Sequence, residues 1–361
     1  MKQFSEKEAA YLRLYQSLRR DIVAGVYPYG SKLPSKRNIA FEKGVSTVTV
    51  EHAYALLADE GYIEPRERSG YFVVFRVDDS FADAPIPQRK SAAPVHSNAS
   101  DTLFPISVLT KAMRRVMTEK GDAILHRGEN DGCLELRSAI ARYLQRARGI
   151  QAEESQIIIG SGAEYLYGMI VKLLGTEHIY GVESPSYNKI AQVYGAEGVR
   201  LELLPLSSDG IDSVALKSTK ADILHLTPFR SFPSGVSASA SKRHEYIRWA
   251  SQGKRYLIED DFESEFSLSG KPEETLFGTT EKDNVIFVNT FSMTVSPALR
   301  AAYMVLPKPL AVLFEEKLGF YACTVPTFEQ LVLASLIENG DFERQINRVR
   351  RQKRRELKET D

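Results

Sequence analysis

The sequence predicts an α/β protein in two parts: a small unit of three helices closed by a two-stranded hairpin, then a larger domain on a mostly parallel sheet. Three observations predict it. From Asp101 onward, short apolar runs alternate with amphipathic helical stretches. Residues 1–75 are instead cut by glycines and prolines into short helical segments. Between the two, residues 76–100 are rich in Pro, Ala, Ser and charge, lack periodicity, and read as a linker. The expected division is therefore 1–75, a linker at 76–100, and 101–361.

The elements of the first unit follow in order. Residues 11–24 place Leu12, Tyr15, Leu18, Ile22 and Val23 on one helical face. Gly25, Pro28 and Gly30 end that helix. Leu33-Pro34-Ser35 opens a second helix with Ser35 as a natural N-cap, and Gly44 breaks it. A third begins at Ser46 and runs to Glu60. Residues 62–64 and 71–74, joined by a turn from Arg66 to Gly70, form the hairpin. Helix, turn, helix and wing is the winged helix-turn-helix arrangement, whose third helix lies in a DNA groove.

Chemistry at these positions suits nucleic acid. Ser46, Thr47 and Thr49 place hydroxyls and helix-start N–H groups where phosphate or base edges would lie. Lys36 and Arg37 offer phosphate contacts from the second helix, and Arg66 and Arg68 from the wing. A small protein-interaction module is the alternative. Charge does not separate the two, since residues 1–75 hold 11 basic and 9 acidic side chains.

The segments Ser31-Lys32-Leu33-Pro34-Ser35-Lys36-Arg37, residues 44–50, residues 53–63 and Ser69-Gly70-Tyr71-Phe72-Val73 occur in an order that resembles the DNA-binding domain of GntR-type bacterial regulators. The resemblance implies a double-stranded operator as partner. Thr47 and His52 depart from it: the family usually has Arg after the helix-opening Ser, and often a basic residue near mid-helix.

In the second part, strands are expected at 157–159, 179–182, 201–206, 223–226, 256–258, 285–288 and 302–305. Helices are expected at 134–148 and 241–251, and at 342–359 with Phe342, Ile346 and Val349 on one face. Ser161-Gly162-Ala163-Glu164 joins a strand to a helix, and N–H groups at a helix start suit an anion. Tyr187 follows Glu183-Ser184-Pro185-Ser186, and a tyrosine taken alone is more often a core aromatic. Residues 227–235 end in Phe232-Pro233-Ser234-Gly235. Residues 258–266 hold the acidic run Glu259-Asp260-Asp261 and then Phe262. Residues 289–300 include Ser292-Met293-Thr294 and Arg300.

Together these segments resemble fold-type I aminotransferases from about Asp101 onward, and a GntR domain joined to one is the layout of the MocR subfamily. The resemblance implies a site for pyridoxal 5′-phosphate (PLP). Ser161, Gly162, Ala163, Ser292 and Arg300 match its phosphate ligands. Tyr187 matches the aromatic beside the ring, and Asp260 the partner of the pyridine nitrogen. Three departures follow from the same comparison. Met293 stands where the family has its Schiff-base lysine, and a thioether cannot form an aldimine. Phe262 replaces a tyrosine that binds the cofactor's phenolic oxygen, and Arg230-Ser231 replaces a His-Gln pair. The chain also ends at Asp361, before most of the family's small C-terminal domain.

The reading is a DNA-binding regulator and homodimer with no catalytic residues, whose large domain senses PLP without a covalent bond or another small anion. Arg300 in a structural ion pair is the alternative to an anion site. An active aminotransferase and a non-sensing scaffold are the competing functions. Composition sets outer bounds. With 47 basic and 47 acidic side chains, a wholly basic nucleic-acid coat is excluded, while a small DNA-binding domain is not. Cys133 and Cys323 share no metal spacing, so reduced buried thiols and no metal site are expected. No run approaches the roughly 20 apolar residues of a membrane helix. The first residues lack the apolar stretch of a signal peptide, so a cytoplasmic protein without membrane partner is expected.

Overall fold

The computed structural model describes residues 10–66, 69–76, 104–267 and 274–360. They belong to two compact units. The expected linker lies, from residue 77, outside the described residues, as does Arg68.

The first unit contains α1 (Ala10–Val23), α2 (Lys36–Lys43), α3 (Thr47–Asp59), β1 (Ile63–Arg66) and β2 (Gly70–Val73). Ser35 caps α2 by accepting the Asn38 N–H at 3.2 Å, and Gly44 closes that helix in the left-handed region at φ 63°. Leu18, Ile22, Ile39, Val50, Tyr54, Leu57, Ile63 and Val73 make one shared core. The Tyr54 hydroxyl donates to the Pro34 carbonyl at 2.7 Å, which ties α3 to the start of α2. One expectation needs correction. The buried stripe of α1 is Leu14, Leu18 and Ile22, whereas Leu12 and Tyr15 are half-buried and Val23 is exposed. Four-residue steps stay on one helix face, but Val23 sits roughly 100° around from Ile22.

The second unit opens with α4 (Ile106–Lys120) and α5 (Leu134–Arg148). Strand and helix then alternate: β3 (Ile157–Gly160), α6 (Ala163–Leu174), β4 (Ile179–Ser184), α7 (Asn188–Ala196), β5 (Arg200–Ser207), β6 (Gly210–Ile211), α8 (Ser213–Ser218), β7 (Ile223–Leu226), α9 (Ala240–Ala250) and β8 (Tyr256–Asp260). Then come α10 (Leu276–Thr279), β9 (Val285–Thr290), β10 (Ala302–Val305), α11 (Lys308–Leu318), α12 (Thr327–Glu338) and α13 (Asp341–Thr360). All seven expected strands are present, and the expected helix 134–148 is α5.

The strands form one sheet in the order β3-β10-β9-β8-β7-β4-β5-β6. β5, β4, β7, β8 and β9 are parallel. β10 is antiparallel to both β9 and β3 because residues 291–301 hold only a short turn, too little for a crossover. Side chains alternate across the sheet. Ile157, Ile159, Tyr303 and Val305 face the core shared with α5, α12 and α13, while Ile158, Ala302 and Met304 face the core shared with α6, α7 and α11. Both faces are thus covered, as a mostly parallel sheet requires. On α13, Phe342, Ile346 and Val349 are buried together. Cys133 is buried and Cys323 half-buried, both as free thiols, and burial pushes the Cys133 thiol up to about 11. Among the described residues no helix is long and apolar enough to cross a membrane.

Candidate functional site

Parallel strands discharge their C-terminal ends on one side of the sheet, where open α/β folds place ligands. Here β8 ends at Asp260 and β9 at Thr290, β7 leads into Thr227, and β4 leads towards Tyr187. α6 begins at Ala163, immediately after the β3 turn. A cavity of about 530 Å³ opens among these ends. Its walls bring together Ala163, Tyr187, Asp260 and the segment that holds Ser292, Met293 and Arg300, four stretches that are far apart in sequence. Ser161 and Gly162 are not on the wall and stand just before α6.

Asp260 is buried at the floor. Its Oδ2 accepts the Tyr167 hydroxyl and lies 3.3 Å from His225 Nε2. The His225 Nδ1 is in turn 2.7 Å from the Tyr194 hydroxyl. A buried carboxylate with two ordered partners is held in one orientation. Tyr187 and Phe232 meet edge to face at 6.3 Å on the wall, with Phe262 and Met293. Glu183, buried beneath them, accepts the Thr227 and Ser231 hydroxyls and fixes that turn; burial raises its carboxyl above the usual range.

At the other end, Arg300 adopts a left-handed backbone, φ 45°, uncommon for a side chain other than glycine. Its guanidinium lies 2.5 Å from where a Cβ on residue 162 would stand, and Gly162 is at φ 95°, so a side chain there would be strained and would push the guanidinium aside. Arg300 Nη2 donates to Glu164 Oε2 at 2.6 Å, and Lys189 Nζ donates to Glu164 Oε1 at 3.0 Å. Partial burial pushes Glu164 up, but bonds from Arg300, Lys189 and its own backbone N–H outweigh this and hold its carboxyl down to about 2. The Ser161 N–H donates to Thr324 Oγ1 at 3.0 Å, and the Gly162 N–H to the Gly160 carbonyl at 2.9 Å. The Ser292 hydroxyl lies 3.0 Å from that of Thr290.

These residues fit one half of the cofactor that the fold implies. Asp260 and the aromatic walls suit a protonated pyridine ring. The phosphate half does not fit this arrangement, because Arg300 and the first N–H groups before α6 already have internal partners. Sequence reasoning did not assign Glu164, Tyr167 or His225 to the site. Glu164 follows Ala163 directly, and an acid in the first turn of a helix was its one visible signal.

Beside this pocket lies a ring of buried charge. Arg148 pairs with Asp261 at 2.8 Å, Glu259 accepts the Leu276 and Phe277 N–H groups at 2.9 Å each, and Asn289 donates to Glu265 at 2.8 Å. Burial raises Glu259 to about 7, and burial with the Asp261 charge raises Glu265 likewise.

On the first unit, the start of α3 is exposed at Ser46 and Thr47, with Thr49 half-buried. Ser46 Oγ accepts the Thr49 N–H at 3.1 Å and lies 2.8 Å from Thr49 Oγ1, so both hydroxyls serve the cap in this state. Lys36 donates to Glu51 at 2.6 Å, while Arg37 is exposed on the same helix. His52 is exposed and packs edge to face against Tyr11 at 5.8 Å. In the wing, Arg66 lies over the Phe72 ring at 4.5 Å, and Gly70 is at φ 106° beside Lys32.

Comparison with known proteins gives two family matches. The family of bacterial regulatory proteins named for gntR matches residues 10–73, and aminotransferase class I and II matches residues 95–360. An uncharacterized HTH-type transcriptional regulator of Bacillus subtilis, YdeL, is 32% identical over 94% of this chain and 76% of its own length. The HTH-type pyridoxine biosynthesis transcriptional regulator PdxR of Corynebacterium glutamicum is 30% identical over 94% of this chain and 75% of its own. Among solved structures, a kynurenine aminotransferase of Pyrococcus horikoshii superposes with a TM-score of 0.63 at 24% identity, over 69% of this chain and 64% of that one. That likeness speaks for the fold of the second unit.

Proposed function

We propose, for a chain that belongs to the GntR family of bacterial regulators in its MocR form, a helix-turn-helix joined to an aminotransferase class I and II domain, the function of a ligand-responsive, DNA-binding transcriptional regulator. Its winged unit reads a double-stranded operator. Its large domain dimerises and senses a small molecule without turning it over. The observation that carries this reading is Met293 on the pocket wall, between Ser292 and Thr294, where the resemblance places the Schiff-base lysine. A thioether cannot form that bond or shuttle a proton. Any PLP-like ligand is therefore held non-covalently.

Further observations support the parts. Arg37, Thr47, His52 and Arg66 are exposed around the start of α3 and the wing, where phosphates and base edges would lie. In the large domain, Ile106, Met113 and Met117 share an exposed face of α4, with Leu125 and Leu134 also exposed. Such apolar exposure suits an interface with a second copy of the chain. The relative named for pyridoxine biosynthesis directs attention to pyridine-ring ligands. A DNA-bound regulator works in the cytoplasm.

Selection from a random duplex library with the purified chain tests the DNA function. Enrichment of a two-fold symmetric sequence is expected, and no enrichment over several rounds would overturn it. Incubation with PLP and borohydride, then peptide mass spectrometry, tests the sensor. No reduced adduct on residues 289–300 is expected; turnover of any amino acid would restore the enzyme reading.

A further inference from the structure

We propose that Glu164 is the specificity element of the pocket: its carboxylate holds the Arg300 guanidinium that a ligand phosphate would need, so the pocket selects an unphosphorylated aromatic ring with a protonated nitrogen over the phosphate ester of that ring. The proposal rests on the reading that the large domain senses a small molecule.

The argument begins with donors. A phosphate at this end of the pocket would draw on Arg300 and on N–H groups at the start of α6. Glu164 holds Arg300 at 2.6 Å and Lys189 at 3.0 Å, and its carboxylate also takes its own backbone N–H. The preceding N–H groups of Ser161 and Gly162 are bound to Thr324 and Gly160. Two oxygens on a side chain thus do locally what phosphate oxygens would do. Because these bonds keep its carboxyl near 2, Glu164 stays ionised throughout the neutral range.

Charge points the same way. Three carboxylates line the cavity, Glu164, Asp260 and Glu263, against two guanidiniums. Each guanidinium is already paired, Arg300 with Glu164 and Arg230 with Glu263 at 2.9 Å. Asp260 has no arginine or lysine within ion-pair distance among the described residues; its neighbours are Tyr167 and His225. An entering phosphate dianion would have to displace Glu164 and then sit beside it. An entering ring cation instead meets Asp260, a buried carboxylate without Arg or Lys partner among the described residues, in a cavity also lined by the Tyr187 and Phe232 rings. A volume of about 530 Å³ admits a substituted six-membered ring.

The test measures binding of pyridoxine and pyridoxine 5′-phosphate, which share a ring and have no aldehyde to react with surface lysines. Titration calorimetry is run on the full chain and on Glu164→Gln, which keeps the side-chain shape and removes the charge; unchanged melting confirms that the variant folds. The wild-type chain is expected to bind pyridoxine at least tenfold more tightly than its phosphate ester. In Glu164→Gln the ester should gain at least tenfold, while pyridoxine changes less than threefold. Equal or tighter binding of the ester by the wild-type chain would overturn the proposal. So would an unchanged ratio in the variant, or no binding of either compound by either protein. Operator selection is scored independently, so a regulator that binds DNA but fails this test loses the Glu164 assignment alone.

Discussion

Gly162 and Arg300 constrain each other. The left-handed backbone of Arg300 costs on the order of 1–3 kcal/mol for a residue with a side chain. What offsets that cost is the fit of its guanidinium against the bare Cα of Gly162 and onto Glu164. Gly162→Ala adds a Cβ 2.5 Å from Nη2 at a backbone of φ 95°, so the guanidinium must leave. The variant should lose about 1–3 kcal/mol of stability. Thermal melting checks this, and a melting curve that overlays the wild type would show that Arg300 moves without cost. The winged unit offers a sharper contrast between neighbours. Lys36 is engaged with Glu51 in an exposed pair of the kind that adds little to stability, whereas Arg37 is exposed beside it. Arg37→Ala is expected to weaken binding to every duplex and to lower the salt slope by about 1, as loss of one phosphate contact does. Lys36→Ala should do less. Anisotropy titrations at several salt concentrations decide it, and an unchanged slope for Arg37→Ala removes that residue from the DNA surface.

Elements were more legible in the sequence than their partners. All seven principal strands and α5 could be read from apolar runs and helical spacing, because those signals are local. Asp260 was legible for the same reason: a carboxylate at the end of an apolar strand, inside a recognisable segment. The Glu164–Arg300 pair was not, since its members are 136 residues apart and only the folded sheet brings them together. The two-residue β6 is too short to leave a pattern, and the reversed β10 differs from its neighbours only through the short connection before it, which holds one 3-10 turn and no α-helix. Nor did the sequence reveal that Glu259, Asp261 and Glu265 are buried around Arg148. That burial has a pH signature. Glu265 is raised to about 7, first by burial and then by Asp261, so ionising it costs more in the folded chain than in the unfolded one. Its contribution is therefore most favourable below about 4.5, the unfolded value, and is lost as pH rises towards about 7. The melting temperature of the wild-type chain should carry this loss between pH 5 and pH 8. Glu265→Gln, which keeps an acceptor for Asn289, should show a shallower fall over that window. An identical pH slope in both proteins would mean that the Glu265 carboxyl titrates alike in the folded and unfolded chain. Glu164 acts in a separate window, since its depressed carboxyl contributes stability above about 4.5 that is lost only as pH falls towards about 2.

At the scale of the whole molecule, the proposed reading of an operator and the proposed sensing of a ligand would meet in the proposed dimer. A winged unit of modest charge makes few contacts by itself, and specific sites are commonly two half-sites matched to a two-fold axis. Joining two such units through their large domains makes the second half-site contact intramolecular, which raises affinity by roughly 10²–10⁴ without a new contact. The exposed α4 face is where the proposed pairing can be broken most cleanly. Met117 is 53% exposed, so Met117→Glu leaves the core untouched and places a charge on that face. Sedimentation should show a dimer for the wild-type chain and a monomer for the variant, with matching far-ultraviolet spectra. Binding to a duplex with two half-sites should fall by about 10²-fold or more, while binding to a single half-site stays unchanged. If the variant still sediments as a dimer, the interface lies on another face. If it is monomeric yet binds both duplexes as the wild type does, then pairing contributes nothing to operator recognition, and a ligand in the large domain could not act on DNA by altering the dimer.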